Sequence, residues 1–226
     1  MSHDQLKARQ RAERHEHAEG IALRIHRALS WLKRSEMCDD EDGRFIFLWI
    51  AFNAAYANDL GEQRVGESRL LREFLHRLSD LDGGRRLYDL VWRQYSESIR
   101  LLLNNQYVFQ TYWDCQNRVE GSEDWQERFA AARRAAHAAL AQQDTGTVLA
   151  IVFQRLYTLR NQLVHGGATW GSSVNREQLR DANRIMGDLV PAVIEIMLDN
   201  AQEHWGDVLR TPFGLDTSPG GIVRAP

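Results

Sequence analysis

The sequence predicts an all-α fold, a helical bundle, and three observations predict it. Apolar residues recur at helical spacing through several long segments. Only four prolines occur in 226 residues. The turn clusters that punctuate an all-β chain at roughly 8–12-residue spacing are missing. With 43% hydrophobic and 26% charged residues, the composition is that of a globular chain, neither disordered nor membrane-embedded.

A first helix is expected from about Asp4 to Ser35, with Ile21, Leu23, Ile25, Leu29 and Leu32 as its apolar positions and the first half a solvated arm. The cluster Cys38-Asp39-Asp40-Glu41-Asp42-Gly43 reads as an exposed loop rather than a cation cage, because its carboxylates are adjacent in sequence. Phe45 to Phe52 is apolar on every side, so it must be a central helix surrounded by others. Asn53, just beyond it, needs hydrogen-bond partners if buried, and a bond across helices is the expected one.

After a loop from Leu60 to Gly66, a helix from Ser68 to Leu81 buries Leu71, Phe74, Leu75 and Leu78 and ends at Gly83-Gly84. Another runs from Arg85 to about Asn104. Tyr107 to Trp113 alternates in a way that also permits a short strand. Trp125 to Gln143 is rich in Ala, the best helix former, with Arg128, Arg133, Arg134 and His137 facing outward as a solvated or an RNA-facing stripe.

Asp144 or Thr145 caps the next helix, which reaches His165 and is ended by Gly166-Gly167. Asn175 with Gln178 resembles a capping box for a last helix to about Trp205, which Pro191 should kink. Residues 1–210 are thus expected to form one domain, and 211–226 a flexible tail.

The net charge of -3 excludes a protein whose whole surface grips nucleic acid electrostatically, but leaves room for a local basic site. All but two of the 28 basic residues, Lys7 and Lys33, are arginine, which suits bidentate phosphate contacts, but their spread along the whole chain favours codon or genome bias. Cys38 and Cys115 form neither a disulfide framework nor a metal cluster, and no secretory signal or membrane span is read. A cytoplasmic location is expected.

The segment Arg160-Asn161-Gln162-Leu163-Val164-His165 carries the candidate chemistry. Arg-x4-His alone is weak, since eight histidines and 26 arginines predict about one occurrence by chance. Its context, with Asn161 after the Arg, an apolar helix before it and Gly166-Gly167 behind it, makes it specific. A five-residue spacing sets two side chains about 140 degrees apart on a helix. Arg160 and His165 therefore need a helix terminus or a second subunit to share one target. His165 sits where the helix dipole favours imidazolium, and imidazole changes charge near neutral pH. It can act as general base or acid on a 2′-hydroxyl, with Arg160 stabilising phosphorane-like charge and Asn161 orienting groups. The purely structural alternative is a pair that caps and salt-bridges the end of a core helix.

The stretch from Leu159 to Gly166 resembles the HEPN signature, in which Arg, a polar residue, three further positions and His follow one another, and the helix with Trp49, Phe52 and Tyr56 is similar to the early core helix of Apea-like HEPN proteins. The resemblance covers about Phe45–Tyr56 and Leu149–Leu198. It implies a HEPN-like bundle with additional helices that dimerises through its motif helices. It further implies metal-independent RNA cleavage by Arg160, Asn161 and His165 without a cofactor, and a toxin or phage-defence role with an antitoxin protein as partner. A non-catalytic module that holds RNA or a nucleotide, and a helical scaffold, are the competing readings. His15 and His17 are poorly spaced for a metal, and P-loop, dinucleotide-binding and Gly-x-Ser-x-Gly patterns are lacking.

Overall fold

The computed structural model describes residues 1–56, 67–173 and 176–206. The expected loop from Leu60 to Gly66, the cap at Asn175 and the tail 211–226 lie outside the described residues. Among the described residues all regular structure is helical, and the fold is all-α.

Helices α1 (His3–Glu13) and α2 (Glu19–Glu36) replace the single long helix expected at the start. A complete capping box at Ser2 and Gln5 opens α1. The chain then reverses, so that the two helices pack as an antiparallel hairpin: the His3 amide donates to Glu36 at 3.2 Å and Lys7 Nζ meets His26 Nδ1 at 3.1 Å. Leu6 is fully buried and Arg9 pairs with Asp199 at 2.7 Å. The first segment is therefore docked rather than a solvated arm. Its few apolar residues hid this, because one leucine and a set of polar contacts hold it.

The spine is α3 (Glu41–Tyr56), flanked by α2 and by α10 (Arg176–Asp199) and touched by α9 (Thr145–Val164). Being covered on several sides is what its all-round apolarity requires. Phe52 stacks on Phe153 with centroids 4.1 Å apart and meets Tyr56 and Phe74. The acidic cluster before it is structural: Asp40 accepts the Gly43 amide at 2.7 Å, and Asp42 is buried against Arg176 at 2.9 Å. The carboxylates of Glu41 and Asp42 belong to the first helical turn and not to an exposed loop.

Helix α4 (Glu67–Leu81) packs along α9. The helix expected over 85–104 is split into α5 (Arg86–Asp89), a π-turn (Leu90–Gln94) and α6 (Ser96–Leu103). The wider turn sits where Trp92 donates to Thr145 Oγ1 at 2.9 Å and Tyr95 donates to Asp188 at 2.6 Å, two tertiary bonds that the local pattern cannot anticipate. A 3₁₀ turn (Gln106–Val108) and α7 (Gln110–Gln116) settle the ambiguous aromatic stretch as helical. On α8 (Trp125–Ala141), Arg128, Arg133, Arg134 and His137 are exposed as expected. Helix α10 continues through Pro191 but ends at Asp199, short of Trp205. There the indole instead donates to Asn200 O and packs edge-on against Phe74.

Candidate active site

Helix α9 presents the motif. Its N-cap is Asp144, whose carboxylate accepts from the Thr147 amide at 2.9 Å and the Thr147 hydroxyl at 2.7 Å. Burial pushes the Asp144 carboxyl up, and the two Thr147 hydrogen bonds outweigh it, holding the group below its ordinary range. Val148, Val152, Leu156 and Leu159 fix the helix against the core.

The outward side of α9 near its C-terminal end carries Tyr157, Arg160, Asn161, Val164 and His165. Arg160 and Asn161 are half-buried, and Arg160 Nη1 donates to Asn161 Oδ1 at 3.0 Å. The Arg160 guanidinium carbon also lies 6.0 Å from the Tyr157 ring, which in turn meets Trp49. His165 is the C-cap; its amide donates to Asn161 O at 3.0 Å, and its ring is exposed. Among the described residues the imidazole has no hydrogen-bond or ionic partner, so the salt-bridged cap posed as the structural alternative is not formed. Gly166 follows at φ 72°, the left-handed conformation that stops a helix without a Cβ penalty, and Ala168 N closes the turn on Gln162 O.

The three predicted site residues are therefore brought to one exposed helix end but not into a single contact. Arg160 and Asn161 are joined, and His165 stands apart, open to solvent. Arg160 also lines a cavity of about 740 Å³, together with Trp49, Asn53, Phe109, Gln154 and Arg155; His165 is not part of that lining. Asn53 makes no side-chain hydrogen bond among the described residues, so the expected bond across helices is replaced by a place in the cavity wall.

Arg155 was missed by sequence reasoning. It is only 3% exposed, and its Nε and one Nη are buried without a hydrogen-bond partner. Its guanidinium carbon lies 4.6 Å from the Phe109 ring centroid and 5.6 Å from that of Phe129. Burial pulls its pKa down to about 10, which still leaves it charged at neutral pH. The available signal was register: Arg155 follows Val152 by three and precedes Leu159 by four, which places a charge on the buried side of the helix.

Among the described residues no group of side chains is arranged to hold a metal ion, and no helix is long and apolar enough to cross a membrane. Compared with protein families, curated proteins and solved structures, the chain matches none.

Proposed function

We propose that this chain is a HEPN-type endoribonuclease that cuts RNA without metal, acting as a two-fold dimer through α9. The observation that supports this reading is the outward stripe of α9. Arg160, Asn161 and His165 share it with Tyr157 and Val164, which are 43% and 48% exposed and offer apolar area for a second copy to cover. One chain places Arg160 and His165 apart; two chains related by a two-fold axis across this stripe bring two sets of motif residues to one groove.

In that groove His165 accepts the proton of a 2′-hydroxyl, and the freed oxygen attacks the adjacent phosphorus. Arg160 stabilises the charge gathered on the phosphoryl oxygens, and Asn161 orients Arg160 through the hydrogen bond already formed. The bond from phosphorus to the 5′-oxygen breaks, the leaving oxygen takes a proton from the second copy of the imidazole, and the products are a 2′,3′-cyclic phosphate and a 5′-hydroxyl. The resemblance to HEPN proteins suggests a toxin or phage-defence role for this activity, with an antitoxin protein as partner.

The test is RNA cleavage in EDTA. The wild type should yield cyclic-phosphate ends, and His165→Ala and Arg160→Ala should each lower the rate by at least about a hundredfold with the fold intact. Unchanged turnover with a lowered melting temperature overturns the catalytic roles. The position of Arg160 in the cavity lining, away from His165, favours the second reading, a module that holds RNA or a nucleotide without cutting it. Tight RNA binding without cleavage selects that reading.

A further inference from the structure

Arg155 poses a problem that the other described residues do not solve. A buried guanidinium ordinarily ends in a carboxylate or in several carbonyl acceptors, because desolvating an unpaired charge is costly. Arg24, the other buried arginine among the described residues, follows that rule, donating to Ala55 O at 3.1 Å. Arg155 has ring faces beside it and neither an acceptor nor an acid among the described residues. It lines the cavity of about 740 Å³, and among the described residues no carboxylate belongs to that lining.

The remaining walls define what fits. Trp49, Phe109 and Tyr157 supply flat apolar faces, while the amides of Asn53, Gln110 and Gln154 supply neutral donors and acceptors. A second cation, Arg160, also lines the cavity, and among the described residues its hydrogen-bond partner is the neutral Asn161. The volume is within the range of small-molecule sites, roughly 300–1,000 Å³. An anion alone would leave the aromatic walls unused, and an uncharged ring would leave Arg155 unpaired.

We infer that this cavity is a binding site for a small planar heteroaromatic molecule bearing one anionic group, with Arg155 supplying the countercharge, the aromatic side chains holding the ring and the amides meeting its polar edge. The site stands whether or not the chain cleaves RNA. Two sources share this chemistry, a nucleoside 5′-monophosphate and a heteroaromatic carboxylate.

Calorimetric titration of the full chain separates them, with UMP and indole-3-carboxylate as probes and with uridine, indole-3-carboxamide and inorganic phosphate as controls. At least one ring anion should bind with Kd below about 1 mM, and the matching neutral compound and free phosphate at least about tenfold more weakly. Stronger binding of UMP assigns a phosphate ligand, and stronger binding of indole-3-carboxylate a carboxylate. Arg155→Met keeps the length and apolar stem of the side chain, and should weaken ring-anion binding at least about tenfold while the helical circular dichroism is kept. Asn53→Ala removes a cavity amide that no other described residue uses, and should also weaken binding while leaving stability unchanged; it decides the case if Arg155→Met fails to fold. Absence of binding by both ring anions, equal binding of charged and neutral rings, or undiminished binding by folded Arg155→Met overturns the inference. Because uncleaved RNA leaves these titrations unaffected, their failure is distinct from failure of the nuclease reading.

Discussion

Replacing Trp49 by Ala tests the packing on which the candidate site rests. Trp49 is 7% exposed and its ring lies within 6.4 Å of three others, Phe45, Phe153 and Tyr157. Truncating a buried aromatic to Ala costs about 3–5 kcal/mol, through lost transfer energy and the hole left behind. Each ring pair adds about 0.5–1.5 kcal/mol beyond burial, which pulls the figure up. Trp49 also borders the cavity, so one side of the indole already lacks protein contacts, which pulls it down. A loss near 3 kcal/mol is therefore expected. Against a total stability of about 5–15 kcal/mol, the variant should remain folded at room temperature. Urea titration followed by circular dichroism at 222 nm measures the change without depending on tryptophan emission. The midpoint should fall while the slope stays constant. A loss under about 1 kcal/mol with an unchanged slope would show that the indole is not enclosed as described, and would remove the wall that links α3 to the Arg160 side of α9.

Two further outcomes follow from the same physics. Leu6→Ala should cost about 2–5 kcal/mol in a denaturant titration, because Leu6 is fully buried under the α1–α2 hairpin; a loss below about 0.5 kcal/mol would mean that α1 is the solvated arm the sequence suggested. Asp144→Ala should cost about 1 kcal/mol at neutral pH through loss of the α9 cap. Because the Asp144 carboxyl titrates below its ordinary 3.8, its ionised form stabilises the fold above that value and the contribution is lost as pH falls through the depressed pKa; the difference between variant and wild type in thermal melts should therefore shrink below about pH 4, and a difference that grows there contradicts the cap.

Much of the fold was legible because its signals are local. The all-apolar run from Phe45 to Phe52 could only be a surrounded helix, and α3 is one. Asp144 and Gly166 bracket α9 as capping chemistry requires, one by accepting an amide and the other by adopting positive φ. The misjudged elements depend on partners far away in sequence. Leu6 looks like an isolated leucine until the chain reverses, and Asp42 looks like part of a solvated acidic run until Arg176, in a helix more than a hundred residues later, arrives at 2.9 Å. The π-turn at Leu90–Gln94 coincides with bonds from Trp92 and Tyr95 to α9 and α10, so a periodicity read along one segment had to miss it.

For the candidate site the division falls between identity and arrangement. The sequence by itself determined which groups are on offer: an arginine, an amide and an imidazole at the end of one apolar helix, with glycine to stop it, because residue type, helical period and capping are properties of neighbouring positions. Only the tertiary structure decided that Arg160 and Asn161 pair while His165 stays open to solvent. It alone decided, too, that Arg155, which the register of α9 marks as a charge on the buried side, is enclosed beside Phe109 with no acid to meet it among the described residues. Which groups meet a buried charge is set by the distant segments that pack around it, and the spacing of residues along one helix does not encode them.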